Sequence, residues 1–221
     1  MIVALANSKG GVGKSTLAVH LAAWRQEHGE QTALIDADAQ GASSIWLHEA
    51  APAMPVFRLQ TPDEILDQLP GIAQNFDHLV VDGPAGLTEV TRAMLLVADL
   101  TLLPCGPSVL DLRAVHEAIR VVRQAQQIRH GLPQVVLVPN KLQARYRLSQ
   151  EFLETAKSLG IRWSVGLRLR QAYADAAGQG TVVWRLGRGA DAAAVEIKTL
   201  FQELFPHEEN HERSTANSPA A

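Results

Sequence analysis

Nine consecutive residues near the amino end, Ser8-Lys9-Gly10-Gly11-Val12-Gly13-Lys14-Ser15-Thr16, bring glycines, two ammonium groups and three hydroxyls into one short stretch. Glycines between a strand and a helix let successive peptide N–H groups converge on phosphate oxygens, and the helix dipole adds to the attraction. Here Gly10, Gly11, Val12 and Gly13 would form the backbone cradle. Lys14 would reach the β- and γ-phosphates, the Ser15 hydroxyl would ligate Mg²⁺, and Thr16 would donate to the α-phosphate. The usual pattern G-x-x-x-x-G-K-[ST] wants glycine where Ser8 stands, and the chain places Lys9 beside two glycines instead. Two ammonium groups near one triphosphate are tolerable only where the phosphate charge balances both.

Acids follow at two places. Ile35-Asp36-Ala37-Asp38-Ala39-Gln40 sets carboxylates two residues apart at the exit of a predicted strand, so both lie on one side. Asp38 could equally be the N-cap of a helix beginning near Gly41. Leu79-Val80-Val81-Asp82-Gly83-Pro84 is an apolar strand closing on an acid and a tight turn. In this Walker B pattern Asp82 would hold the Mg²⁺ shell and Gly83 would let the backbone approach the γ-phosphate. Asn140 and Lys141 end a further predicted strand, on the ligand-binding edge of an open parallel sheet.

These groups need a scaffold that presents several strand ends side by side. Short apolar runs predict strands at Ile2–Ala6, Thr32–Ile35, Val56–Leu59, Leu79–Val81, Leu100–Leu103 and Val135–Val138. Amphipathic stretches between them predict helices at Lys14–His28, Gly41–Glu49, Pro62–Gln68, Leu87–Val97, Ser108–Arg129 and Arg147–Leu159. A turn of helix is expected within Leu169–Ala177, and a last helix over Ala190–Leu204. Strands this short and apolar suit a sheet covered on both faces, and the alternation predicts an α/β fold: a mostly parallel, twisted sheet with helices on both faces. Residues 1–205 read as one domain. The polar stretch 206–221 reads as a disordered tail, since it has no large apolar residue to bury.

Composition narrows the function classes. With 221 residues, 47% hydrophobic, the chain can build one sizeable core. No apolar run approaches ~18 residues, so no spanning helix is expected, and the amino end lacks a basic segment ahead of its apolar stretch. The single cysteine, Cys105, excludes disulfides and clusters held by several thiolates of one chain. A cytoplasmic protein is the expectation. Net charge is −3, but Lys141–Arg188 holds nine Lys/Arg against three acids, a local +6 that leaves −9 for the rest. A basic face on an acidic body can hold phosphates through counterion release.

The lysine-rich loop, the D-x-D-x-Q segment and Asp82-Gly83-Pro84 together resemble the ParA/MinD family of deviant-Walker ATPases, whose loop reads KGGxGK[ST]. The likeness spans roughly Met1–Phe205. It is nearest in length to the small ParA type, including ParF-like partition ATPases and carboxysome-positioning McdA-like members. The resemblance implies a P-loop NTPase-like fold, ATP and Mg²⁺ as cofactors, and hydrolysis of ATP to ADP and phosphate. It implies that Lys9 crosses the interface of an ATP-bound homodimer to the partner's nucleotide. Asp38 would position the attacking water, Asp36 would support Mg²⁺ through water, and Asn140 would face the adenine. Asn140 could also be a plain strand-to-helix turn. The dimer is expected to bind DNA without sequence preference, with Arg168 and Arg170 among its contacts. A ParB-like or cargo-adaptor partner would stimulate hydrolysis on the nucleoid. Nothing ahead of the first strand suggests an added operator-binding domain.

Other members of the superfamily fit less well. A membrane-cycling MinD-like regulator needs a terminal amphipathic helix where this chain is polar, so no membrane partner is expected. Nitrogenase iron protein relatives need paired cysteines, and bacterial tyrosine kinases need a tyrosine cluster where this chain has only Tyr146 and Tyr173. A metabolic ATP-dependent ligase would need substrate-binding residues that no motif supplies.

Overall fold

The computed structural model describes residues 1–143 and 159–206. The helix expected at Arg147–Leu159 lies outside the described residues apart from Leu159, and the tail expected over 206–221 lies outside them apart from Pro206. The strands are β1 (Ile2–Asn7), β2 (Thr32–Asp36), β3 (Val56–Arg58), β4 (His78–Ala85), β5 (Leu100–Cys105), β6 (Gln134–Pro139) and β7 (Arg162–Trp163). The helices are α1 (Lys14–Glu27), α2 (Ala42–Ala50), α3 (Pro62–Ala73), α4 (Glu89–Val97), α5 (Val109–Ile128), α6 (Gln171–Gly178) and α7 (Asp191–Leu204). One 3₁₀ turn covers Val183–Arg185.

All seven strands are parallel, in the order β3-β2-β4-β1-β5-β6-β7. The alternation of side chains along each strand divides the core. Val3, Leu5, Leu34 and Val80 pack with α1, α2 and α7 through Leu21, Trp24, Leu47 and Phe201. Ile2, Ala4, Ile35 and Val81 pack on the other side with α3 and α4 through Ile65, Leu69 and Met94. Ala6, Leu103 and Leu137 meet α5 through Val115, Ala118 and Ile119. Burying a side chain as large as Trp24 or Phe201 contributes about 2–3 kcal/mol, so these layers hold the strand ends in fixed register.

That register assembles the site. Asp36 pairs with Asp82 across β2 and β4, Leu5 pairs with Asp82 across β1 and β4, and Cys105 pairs with Pro139 across β5 and β6. The phosphate loop, both acids and Asn140 therefore leave the sheet at the same edge. Strand β4, expected over Leu79–Val81, runs from His78 to Ala85, and two further elements depart from expectation. Helix α3 was expected to stop at Gln68 and runs to Ala73 with Pro70 inside it, on a face exposed to solvent where one missing N–H bond is tolerated. Strand β7 is two residues long, too short for a periodic signal.

Candidate nucleotide site

The loop after β1 is fastened at both ends. The Asn7 side chain donates to the Pro104 carbonyl at 2.7 Å and accepts from the Lys9 N–H at 2.9 Å. Ser8 donates to the Ala114 carbonyl at 3.1 Å. On the other side the Asn140 amide donates to the Val12 carbonyl at 2.8 Å, and Lys141 Nζ donates to the Gly11 carbonyl at 2.6 Å. Gly13 has φ of 101°, and a Cβ there would run into the Asn140 amide, so both conformation and space demand glycine. Gly10 and Gly11 are exposed, and Ser15 and Thr16 are half-buried on the first turn of α1. That turn has no acid and no side-chain cap, which leaves its N–H groups available to an anion.

The two loop lysines occupy different settings. Lys14 is buried, with Nζ 3.3 Å from the Lys9 carbonyl. Burial lowers its pKa, and Asp82 and Asp38 work against that. Lys9 is half-exposed and forms a 2.7 Å ion pair with Asp111 on α5, whose second oxygen accepts from Ser108 at 2.5 Å.

Asp36 is fully buried. Its carboxylate accepts from the Asp38 N–H at 3.1 Å and from the Ser44 N–H and hydroxyl at 2.9 and 2.5 Å. Asp36, and not Asp38, therefore satisfies the start of α2, whose own N-cap position is Gly41. Asp38 is left half-buried beside Lys14, with its carboxylate accepting only the Gln40 N–H at 3.0 Å.

Asp82 is the most telling side chain. It is fully buried, and neither carboxylate oxygen has a hydrogen-bond partner. Burial pushes its pKa up to about 6. The hydroxyls of Ser15 and Ser43 lie close enough to favour its charged form, yet neither reaches hydrogen-bond geometry, and Asp36 opposes it. A buried carboxylate with two orphaned oxygens beside a serine hydroxyl is a hard oxygen donor set, suited to a small divalent cation that keeps several waters. The residues present fit Mg²⁺. Gly83 is required beside it, since a Cβ would lie 2.6 Å from the Leu5 carbonyl and 2.8 Å from the Met94 methyl.

Next to the loop opens a cleft of about 250 Å³, lined by Thr16, Leu17, Asn140, Leu167 and Tyr173 among others. Asn140 borders it, though its amide is committed to Val12 and its carbonyl accepts the Lys141 N–H at 2.8 Å. Arg168 and Arg170 also line it, and both turn to Glu196 of α7. Arg170 makes a bidentate pair at 2.6 and 2.9 Å, while Arg168 stands 3.7 Å away and is more exposed. The Glu196 hydrogen bonds raise the Arg170 pKa.

Four contributors escaped the sequence reading. Asp111 had a local signal, a Ser-x-x-Asp pair opening a helix. Ser44, Glu196 and His20 had none. His20 is fully buried on α1. Its Nδ1 lies 2.7 Å from the Thr16 carbonyl and its Nε2 accepts the Val183 N–H at 3.1 Å, which fixes the Nδ1–H tautomer. Trp46, Tyr173 and Trp184 surround the ring edge-on at 5.4, 5.8 and 5.5 Å. Trp24 and Trp46 are core residues, as expected, and Cys105 is buried with its pKa pushed up to about 12.

The family model for the CobQ/CobB/MinD/ParA nucleotide binding domain matches residues 3–183. Maintenance of carboxysome distribution protein A of Halothiobacillus neapolitanus is 31% identical over 210 residues, 92% of this chain and 96% of that protein. Among solved structures, a Cyanothece McdA variant in complex with ATP superposes with a TM-score of 0.77 at 17% identity, covering 92% of this chain and 94% of that one. MinD of Pyrococcus horikoshii complexed with Mg-ADP superposes with a TM-score of 0.71 at 15% identity, covering 92% and 95%.

Proposed function

This chain belongs to the CobQ/CobB/MinD/ParA nucleotide-binding family, and we propose that it is a Mg²⁺-dependent ATPase of the ParA type that dimerises on ATP, binds DNA without sequence preference and positions a cargo. The observation that carries the reading is the buried Asp82 carboxylate, unpartnered at both oxygens, set between Ser15 and Lys14 at the mouth of an uncapped helix.

ATP would lie with its base side in the cleft at Thr16, Asn140 and Tyr173 and its phosphates over Gly10–Thr16. When bound, Mg²⁺ would be held by Ser15 and Asp82, with Asp36 behind them, and would neutralise phosphate charge. Lys14 supplies charge that its burial keeps close to the phosphates and out of solvent. Asp38, whose carboxylate accepts a single N–H among the described residues, orients the attacking water. Such chemistry is mostly positioning and charge stabilisation. Lys9 would leave Asp111 to reach the nucleotide of a second copy, so ATP supplies the anions that draw two protomers together. Arg168, exposed and only loosely held, contributes to DNA contact, and Arg170 lies beside it. The relative named for carboxysome distribution supports a protein assembly as cargo, and an adaptor protein on that cargo would be the partner that stimulates hydrolysis.

The test is retention on duplex DNA with ATP, with ADP, and for Lys14→Ala with ATP. Retention only by the wild type with ATP is expected. Equal retention in all three sinks the switch.

A further inference from the structure

We propose that the outer face of α5 is the surface that grips the DNA backbone, a deepening that rests on the DNA-binding reading above. Charge that already has a partner is a poor anchor for phosphate, and most of the described arginines have one. Arg168 and Arg170 share Glu196. Arg185 is paired with Glu27 at 2.5 Å, Arg162 donates to the Glu203 carbonyl, and Arg25 is paired with Glu30. Among the described residues, Arg113, Arg120, Arg123 and Arg188 have neither an ion pair nor a hydrogen bond. Three of these four stand on α5.

Their spacing makes them a stripe. On a helix of 3.6 residues per turn, Arg113, His116, Arg120, Arg123 and Gln127 fall within about 80° of arc. All five are exposed. The opposite side, with Val115, Ala118 and Val122, is buried against the sheet and its neighbours. At 1.5 Å per residue the arginines extend over about 15 Å, the axial rise of four or five phosphates of one DNA strand. Glu117 is the one carboxylate on the exposed side of this helix, and it sits at the stripe's edge, a turn from Arg113. No Phe, Tyr or Trp interrupts the stripe, which suits contact with phosphates and not with bases.

The position of α5 ties the stripe to the nucleotide. Its first turn holds Lys9 through Asp111, and its Ala114 carbonyl accepts the Ser8 hydroxyl. One protomer offers three free charges. Two protomers brought together by ATP offer six, and binding strength rises steeply with that number because each neutralised phosphate releases counterion.

The experiment uses the full chain, Mg²⁺-ATP and a labelled duplex of arbitrary sequence, with affinity measured across a salt series. Arg113→Ala/Arg120→Ala/Arg123→Ala is compared with Arg168→Ala/Arg170→Ala. The α5 triple is expected to lose at least about tenfold in affinity and to flatten the slope of log K against log salt by up to about 5 for a dimer. The Arg168/Arg170 pair should lose less. Replacing the three with lysines should restore binding, while ATP-driven dimerisation of the alanine triple stays intact. If the triple fails to fold, Arg120→Glu and Arg123→Glu, single changes on an exposed face, give the same reading through smaller slope changes. Wild-type binding with an unchanged slope in the α5 variants overturns the stripe and leaves the DNA reading standing, with an acidic partner peptide as the alternative occupant of this face. A wild type that never binds DNA with ATP overturns both.

Discussion

The proposed phosphate side and the proposed base side of the cleft are built by different means. On the phosphate side, the loop, Asp36, Asp38 and Asp82 sit at the ends of adjoining strands, and backbone register brings them together. On the base side, Leu167–Val183 lies beyond a two-residue edge strand and is held in part by side chains reaching across the fold: Glu196 to Arg168 and Arg170, His20 to Val183, Trp46 to the Thr181 carbonyl. The first region is rigid because the core is rigid. The second adds a handful of long-range polar contacts to a few buried residues, Leu167 and Ala176 among them. Chemistry should therefore fail by changes on the phosphate side, and affinity or stability by changes on the base side.

The largest expected effect is the loss of Lys14. Lys14→Ala should cut the ATP turnover rate by 10²–10³-fold, about what one removed stabilising donor costs, with little change in the thermal midpoint. A small drop in turnover accompanied by a lower midpoint would erase the contrast between the two regions.

His20 comes next, and its signature is stability. Substitution by leucine leaves the Val183 N–H without a partner in the core and should cost about 2–3 kcal/mol in chemical denaturation. Acid supplies a second measurement. Burial holds the His20 pKa at about 4 against an ordinary 6.5. Between those values the unfolded chain takes up a proton that the folded chain refuses, so stability falls as pH drops from 6.5 towards 4, by about 3 kcal/mol. His20→Gln should lack this component, and an unchanged acid profile would show that another group carries it.

A smaller effect is expected at Asp111. Asp111→Asn weakens the hold on Lys9, a partly exposed pair worth about 0.5–1 kcal/mol, so ATP should dimerise the variant at two- to fivefold lower concentration. Glu196→Gln should change least: a KM for ATP raised up to about threefold with turnover unchanged, since it frees Arg168 and Arg170 beside the base and leaves the phosphates alone.

The same division explains how much could be read before the fold was seen. Lys14, Ser15, Asp36, Asp38 and Asp82 stand out because each is set by a few neighbours in sequence: glycines before a helix, acids after an apolar run. The sheet was legible for the same reason, strand by strand, up to β6. His20 was invisible because a lone histidine within an apolar helix pattern carries no mark of the Val183 N–H 163 residues away. Glu196 looked like any exposed acid of an amphipathic helix. Arg168 and Arg170 were found as charges, but not their pairing, since spacing along a chain cannot say which carboxylate the fold will bring opposite.

The sheet is bounded by β3, three residues long, and by β7, two. Strand borders this short expose few free peptide groups, which leaves little template for another chain to extend the sheet. Growth into filaments by strand addition is thereby blunted at both sides. In the proposed cycle self-association falls instead to the loop-bearing face, where a bound nucleotide would time it and its hydrolysis would undo it.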